Sequence, residues 1–182
     1  MKQIVPFCLL LLLGACAGSG TQDIPSVSGL DVPRYMGKWY EIARLPHTFE
    51  KDLDFVTAEY TLRDDGRIRV VNQGMRNGAQ SRAEGIAKLK NPDARPVTGD
   101  LRVSFFRPFY GDYRIIELGN DYSYAVVTSS AKDYLWILSR SPQLPEKLLS
   151  GLTARLKTLG FDTEKLEYPK QEVPPCSGAK SL

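Results

Sequence analysis

Eight short runs of strand-forming residues, separated by turn-forming residues, fill most of the chain between residues 39 and 139. They cover residues 39–44, 56–63, 68–75, 82–90, 101–106, 113–118, 124–129 and 134–139. Asp-Asp-Gly at 64–66 and Arg-Asn-Gly at 76–78 are typical of hairpin turns. The second run alternates apolar and polar residues, so one of its faces is dry and the other wet. The pattern predicts consecutive antiparallel strands.

Two helical segments flank these runs. Residues 31–36 form a predicted helical turn, with Asp31 as the cap and Pro33 close behind it. A longer helix is predicted after residue 144, with Pro145 at its first position and Gly160 at its exit. Its apolar stripe consists of Leu148, Leu149, Leu152, Leu156 and Leu159. The sequence therefore predicts an all-β fold: an eight-stranded antiparallel up-and-down β-barrel, with the C-terminal helix packed outside and the short N-terminal turn at one end.

A transmembrane barrel of eight strands is the rival interpretation, and the outward positions argue against it. Such a barrel needs an apolar outer band. Here the outward positions include Glu59, Arg63 and Arg102, and the amphipathic helix would have no place in lipid. A barrel with a dry interior that holds one small ligand fits better.

Gly37-x-Trp39 at the start of the first run and Arg140 at the end of the last would meet in a closed barrel. A guanidinium stacked on an indole would plug one end. Alone, Gly-x-Trp is more often a buried strand Trp beside a turn Gly, but its distance from Arg140 favours the plug.

The region from about residue 32 to residue 168 resembles the lipocalin family, in particular its branch of bacterial outer-membrane lipoproteins. The resemblance rests on Trp-Tyr-Glu-Ile-Ala-Arg at 39–44, Phe-Phe-Arg-Pro-Phe-Tyr-Gly at 105–111 and Tyr-Leu-Trp-Ile-Leu-Ser-Arg at 134–140. Asp121-Tyr122 resembles the family's second signature, with Asn120 where Thr is usual. The resemblance gives Gly37, Trp39, Asp121 and Arg140 structural roles. It implies binding of fatty acids or lysophospholipids, stored or transported for outer-membrane maintenance under stress.

The first residues are typical of an export signal, because Lys2 precedes an apolar run too short to span a bilayer. Leu13-Gly14-Ala15-Cys16 resembles the lipobox of bacterial lipoproteins, which implies cleavage before Cys16 and its lipidation, including a palmitate-type acyl chain. An ordinary secretory signal with an incidental Cys is the alternative. We expect a signal peptide at 1–15, the lipidated Cys and a flexible tether at 16–30, the barrel and helix at 31–170, and a tail at 171–182.

The remaining cysteines and the charge limit the partners. Cys8 would be removed with the signal peptide and Cys16 lipidated, so Cys176 has no partner for an internal disulfide. It is either a free thiol or forms an intermolecular disulfide bond. The net charge of +3 is small and scattered, which gives no reason to expect binding to nucleic acid.

The residue after Cys16 is Ala17 and not the Asp that retains many such lipoproteins in the inner membrane, so we expect the protein at the periplasmic face of the outer membrane. Monomer and homodimer both remain open.

In an up-and-down barrel, the long connection at 46–55 and the aromatic loop at 107–111 share one end, which we predict to be the open mouth. The predicted inward, ligand-binding positions are Ala58, Tyr60, Ile68, Val70, Ala87, Val103, Phe105, Ile115, Glu117, Ala125, Val127, Trp136 and Leu138. The alternative for each is plain core packing. Glu117 either faces the cavity and orients a polar head group, or the predicted register of its strand is wrong by one residue.

Phe106, Phe109 and Tyr110 are predicted near the mouth, where they either form a rim that touches lipid or fold back on the barrel. Arg107 and Lys51 either meet a head group there or are solvated surface charges.

No motif calls for catalysis. The chain has no Gly-x-Ser-x-Gly, no His cluster and no Cys-x-x-Cys, and its one His, His47, is in a loop. We therefore predict a binding protein without cofactor or metal, whose partners are a small apolar ligand and the membrane that holds its anchor. The alternative function is a structural envelope lipoprotein whose barrel is filled by its own side chains.

Overall fold

A computed structural model describes residues 20–171. The elements, in chain order, are α1 Val32–Tyr35, β1 Gly37–Arg44, β2 Asp54–Leu62, β3 Ile68–Arg76, β4 Ala79–Leu89, β5 Asp100–Phe106, β6 Phe109–Leu118, β7 Tyr124–Thr128, β8 Leu135–Ser139 and α2 Glu146–Thr158. A single 3-10 turn, Thr163–Lys165, follows α2. Every predicted strand is present, with bounds that differ by at most a few residues from those predicted.

The strands close into one barrel in sequence order, with β8 paired to β1. All eight pairings are antiparallel, as short hairpin connections require. Closure leaves no free sheet edge for association with other strands. The predicted eight-stranded up-and-down barrel is confirmed.

The helix α2 packs on the outside of the barrel and creates a second core there. Leu152 and Leu156 are fully buried against the outward faces of β1, β7 and β8, in a cluster with Val126 and Ile137. Leu159, predicted as part of the buried stripe, is 40% exposed because it caps the helix instead of continuing it. Pro145 lies just before the helix, one position earlier than predicted.

Residues 20–30, the part of the predicted flexible tether that the structure describes, are packed against the barrel. We call this segment the N-terminal strap. The Thr21 backbone N–H donates to Ser130 O (3.2 Å), the Val27 N–H to Ile115 O (2.8 Å) and the Gly29 N–H to Val97 O (2.8 Å). Ile24 and Leu30 are buried. The prediction of flexibility is therefore wrong for these residues, because apolar side chains among the Gly and Ser find places on the barrel wall.

The predicted signal peptide, Cys8, Cys16 and Cys176 lie outside the described residues, and the domain bounds that depend on them stay predictions. Within residues 20–171, no helix combines the length and apolarity needed to cross a bilayer.

Candidate ligand-binding cavity

The barrel encloses a cavity of about 770 Å³, within the usual range for small-molecule sites. It opens at the end that holds the β1–β2, β3–β4, β5–β6 and β7–β8 connections, as predicted for the mouth. Ten of the thirteen residues predicted to face inward lie on its wall: Ala58, Tyr60, Ile68, Val70, Ala87, Val103, Phe105, Val127, Trp136 and Leu138. Their role in binding a ligand stays a prediction.

The other three do not line the cavity. Ile115 and Ala125 are fully buried in the core that includes Trp39, so they pack the barrel without bordering the open space. Glu117 points outward: its Oε1 accepts hydrogen bonds from the Tyr124 hydroxyl (3.0 Å) and from Nη2 of Arg155 on α2 (2.5 Å).

A β-bulge explains the orientation of Glu117. Ile115 pairs with Val127 whereas Glu117 pairs with Val126, so one extra residue of β6 is inserted between the two pairs. The extra residue reverses the alternation of side chains beyond it. The prediction that Glu117 faces the cavity is wrong, and the alternative of a register one residue off is right.

The closed end is sealed by Trp39 and Arg140. The Arg140 guanidinium carbon lies 3.8 Å from the centre of the Trp39 ring, and Trp39 is completely buried. Arg140 Nη1 donates to Lys38 O (2.9 Å), and Nη2 donates to the carbonyl oxygens of Arg34 and Tyr35 (3.0 Å each). Gly37 adopts φ of +92°, which glycine tolerates best. The predicted stack is present.

Asp121, the other predicted structural residue, orders the β6–β7 turn. Its Oδ1 accepts the backbone N–H of Ser123 (3.0 Å), and Ser123 O accepts the Arg140 N–H (2.9 Å). The link from Asp121 to Arg140 thus runs through the Ser123 backbone.

Three tyrosine hydroxyls form a polar spot on the floor of the cavity. The Tyr113 hydroxyl is 2.7 Å from that of Tyr35 and 3.0 Å from that of Tyr60. Burial raises the pKa of Tyr60 to about 12 and the pKa values of Tyr35 and Tyr113 well above their usual value. These groups therefore stay neutral, and they offer hydrogen bonds without charge.

A second polar region lies on the wall near the mouth, and it is hardly evident from the sequence. Glu41 and Glu50 both border the cavity and are about 95% buried. Arg44 Nη1 donates to Glu41 Oε1 (2.7 Å), and the Trp136 indole N–H donates to Glu50 Oε2 (3.0 Å). Nε2 of His47 lies 2.8 Å from the same Glu50 oxygen.

Burial, and then the neighbouring Glu50 carboxylate, raise the pKa of Glu41 to about 8, although Arg44 acts in the opposite direction. Burial therefore favours the neutral form of the Glu41 carboxyl group. Its side chain can be buried among apolar residues of β1 because Arg44 and Glu50 lie beside it. The alternation of residues along the strand does not reveal these partners. The spacing of Glu41 and Arg44, three residues apart, was the only signal in the sequence.

At the rim, Phe106 and Phe109 are 83% and 77% exposed. For these two residues the fold-back alternative is therefore wrong. Tyr110 is only half-buried and lies under the Lys88 ammonium, 5.0 Å from its ring centre. Among residues 20–171, no group of three side chains is arranged to hold a metal ion.

The comparisons agree with this architecture. Residues 30–171 match the model of the Lipocalin-like domain. The chain is 42% identical over 175 residues to "Outer membrane lipoprotein Blc" of Vibrio cholerae, covering 94% of this chain and all of that protein. It is 40% identical to the protein of the same name from Escherichia coli K12, covering 88% of this chain and 90% of that protein.

Among solved structures, insecticyanin of the tobacco hornworm Manduca sexta superposes with a TM-score of 0.66 at 24% identity, covering 81% of this chain and 84% of that one. At this identity the likeness concerns the fold alone. Together with the family match and the two bacterial relatives, the barrel, its stacked base and its open cavity lead to one conclusion: the chain belongs to the lipocalin family.

Proposed function

We propose that this protein is a lipid-binding lipocalin of the outer membrane that takes up a single-chain lipid in its barrel and stores or transports it for membrane maintenance under stress. The observation that carries the proposal is the cavity of about 770 Å³, open at one end and lined mainly by apolar side chains. The outer-membrane location agrees with the names of the bacterial relatives. Lipocalins are binding and transport proteins, and this one is not an enzyme.

The shape of the site suits a ligand with one acyl chain. Burying an acyl chain gains about 0.8 kcal/mol per methylene, so even half of a long chain supports micromolar affinity after the costs of association. Fatty acids and lysophospholipids both meet this description. The alternative of a barrel filled by its own side chains does not match an open cavity of this volume.

The test is a titration of the purified protein with a fluorescent single-chain lipid, made with two variants. Val103 lines the cavity on β5, so Val103→Trp should fill part of the space and lower the affinity at least about tenfold. The adjacent Arg102 is exposed on the outer face of the same strand. Arg102→Trp adds the same side chain outside the barrel and should leave the affinity unchanged.

Absence of saturable binding to the wild-type protein would refute the proposal. Equal affinities of the two variants would place the lipid elsewhere than in the cavity. Organic extracts of the natively purified protein, analysed by mass spectrometry, should contain a co-purifying single-chain lipid.

A further inference from the structure

The N-terminal strap runs along the barrel from the mouth to the closed end, and its direction fixes where the chain enters the domain. Gly20 forms a bridge with Ala131 in the β7–β8 connection, which borders the mouth. Thr21 is completely buried, and its hydroxyl donates to Ser129 O. At the other end, Leu30 belongs to the core that includes Trp39.

Arg114 on β6 fastens this segment. Its Nη1 donates to the Thr21 carbonyl and hydroxyl oxygens, and its Nη2 donates to Ile24 O (2.7 Å). The Arg114 side chain is only 11% exposed and also pairs with Asp100 (3.1 Å). The N-terminal end of the strap therefore cannot move from the mouth to the closed end without breaking these part-buried, charge-assisted hydrogen bonds.

The predicted lipidation site lies four residues before Gly20. Four residues span at most about 14 Å. An acyl anchor on Cys16 would thus hold the mouth, and not the closed end, next to the bilayer surface. This step depends on the lipidation of Cys16 and is independent of which ligand the cavity binds.

The mouth also carries exposed side chains that would suit contact with a bilayer. Phe106 and Phe109, at the tip of the β5–β6 hairpin, and Phe49, in the β1–β2 connection, are 83%, 77% and 55% exposed. Exposed aromatic residues of this size, clustered at one end, are unusual for a surface that faces only water. Arg107 and Lys51 are exposed beside them and would complement anionic head groups.

The closed end has a different character. The β2–β3 turn carries Arg63, Asp65 and Arg67, which form ion pairs with one another in solvent. Unlike the mouth, this turn has no aromatic side chain among residues 63–67.

From the direction of the strap, the short reach to Cys16 and the aromatic rim, we infer that the barrel docks with its mouth against the lipid bilayer that holds its anchor. A single-chain lipid then passes between membrane and cavity without crossing bulk water. The rim residues act as a shallow interfacial contact, with Phe106 and Phe109 inserted at the level of the head groups.

The experiment uses the lipidated protein in vesicles that contain a nitroxide-labelled phospholipid, in a Cys176→Ser background. A fluorophore is attached at Arg107→Cys in the rim or at Asp93→Cys in the exposed β4–β5 connection of the closed end. The label at residue 107 should be quenched several-fold more than the label at residue 93. Equal quenching, or stronger quenching at residue 93, would overturn the inference.

Two pairs of substitutions then test the rim itself. Phe106→Ser with Phe109→Ser should reduce quenching at residue 107 while the protein stays anchored and keeps its far-UV spectrum, since both side chains are largely exposed. Leu62→Ser with Leu159→Ser removes exposed apolar residues away from the mouth, 43% and 40% exposed, and should change nothing. If the Phe pair alters only the oligomeric state, the rim is an interface between copies of this chain and the inference is wrong. Ligand titrations in detergent report on the proposed function separately.

Discussion

Arg140 combines a planar stack with three hydrogen bonds, and no other cationic side chain reproduces that combination. Its guanidinium lies over the Trp39 ring while its two terminal nitrogens donate to three backbone carbonyl oxygens around α1. A lysine ammonium is a compact charge that neither stacks as a plane nor forms a fork of donors. The residue therefore joins the last strand, the first strand and the N-terminal turn.

We expect Arg140→Lys to lower the free energy of unfolding by about 2 kcal/mol, since hydrogen bonds to carbonyl groups are lost at a covered site. Urea denaturation followed by tryptophan fluorescence measures this change. Arg102→Lys, on the exposed outer face of β5, should stay within about 0.5 kcal/mol of the wild type. A loss of similar size in both variants would mean that the stack at Trp39 contributes nothing particular.

Glu41 should make stability depend on pH in the direction opposite to that of most carboxyl groups. Its pKa rises from an ordinary 4.5 to about 8 in the folded protein, because of burial and then Glu50, with Arg44 opposing. Between these values the folded state holds a proton that the unfolded state has released. Stability attributable to Glu41 therefore falls as the pH rises from about 4.5 to about 8, and is constant above that.

Glu41→Gln keeps the shape of the side chain but cannot ionise. The difference in unfolding free energy between pH 5 and pH 8, measured in urea, should be smaller for this variant than for the wild type. The neighbouring Glu50, Arg44, Glu167 and His47 remain in both proteins, so their contributions are matched. An unchanged difference would show that Glu41 is ionised throughout the range.

Among the elements, the strap is fastened at residues 21 and 24 by one side chain, that of Arg114. Arg114→Ala removes the donors to Thr21 and Ile24, while the backbone pairing of Val27 with Ile115 and Gly99 remains. We expect amide hydrogen exchange to accelerate at least about tenfold for residues 20–24, with little change in β3 and β4. Arg69→Ala, which breaks an exposed pair with Glu84, serves as the control. Unchanged protection of residues 20–24 would show that the strap is held by its apolar contacts alone.

Strand elements were predictable from the sequence because turn residues and alternation are local signals. The turn at residues 64–66 appears in the structure as expected. In β2 the alternation holds at Val56 and Tyr60, which are buried, but not at Leu62, which is 43% exposed. The bulge before Glu117 was not predictable, because one inserted residue leaves no local mark and depends on the pairing with β7. The prediction that the strap is flexible is wrong for a related reason. Its Gly and Ser content is typical of a linker, and its contact with the barrel through Arg114 involves a residue more than eighty positions away in the sequence.

The whole cavity has a charge character that no single residue reveals. Among residues 20–171, its wall includes the carboxyl side chains of Glu41 and Glu50 but no Lys, Arg or His side chain. Arg44 lies behind Glu41 and is already bonded to it, to Glu167 and to Leu53 O. Because burial favours the neutral form of Glu41, an anionic head group drawn inside would meet the like charge of the Glu50 carboxylate, and no cationic side chain on the wall offsets it.

We accordingly expect a neutral monoacylglycerol to bind about tenfold more tightly than the fatty acid anion of equal chain length at pH 7.5, because the chain contacts are the same and only the head-group charge differs. Glu50→Gln should narrow this gap by strengthening binding of the fatty acid, since the amide oxygen can still accept the Trp136 N–H while the charge is removed. Glu84→Gln, on the outer surface, should leave the gap unchanged. Competition of both lipids against one fluorescent probe measures the ratio for each protein. A ratio near one in the wild type, or one that Glu50→Gln does not alter, would mean that the head group stays in the solvent beyond the mouth, out of reach of the cavity carboxylates.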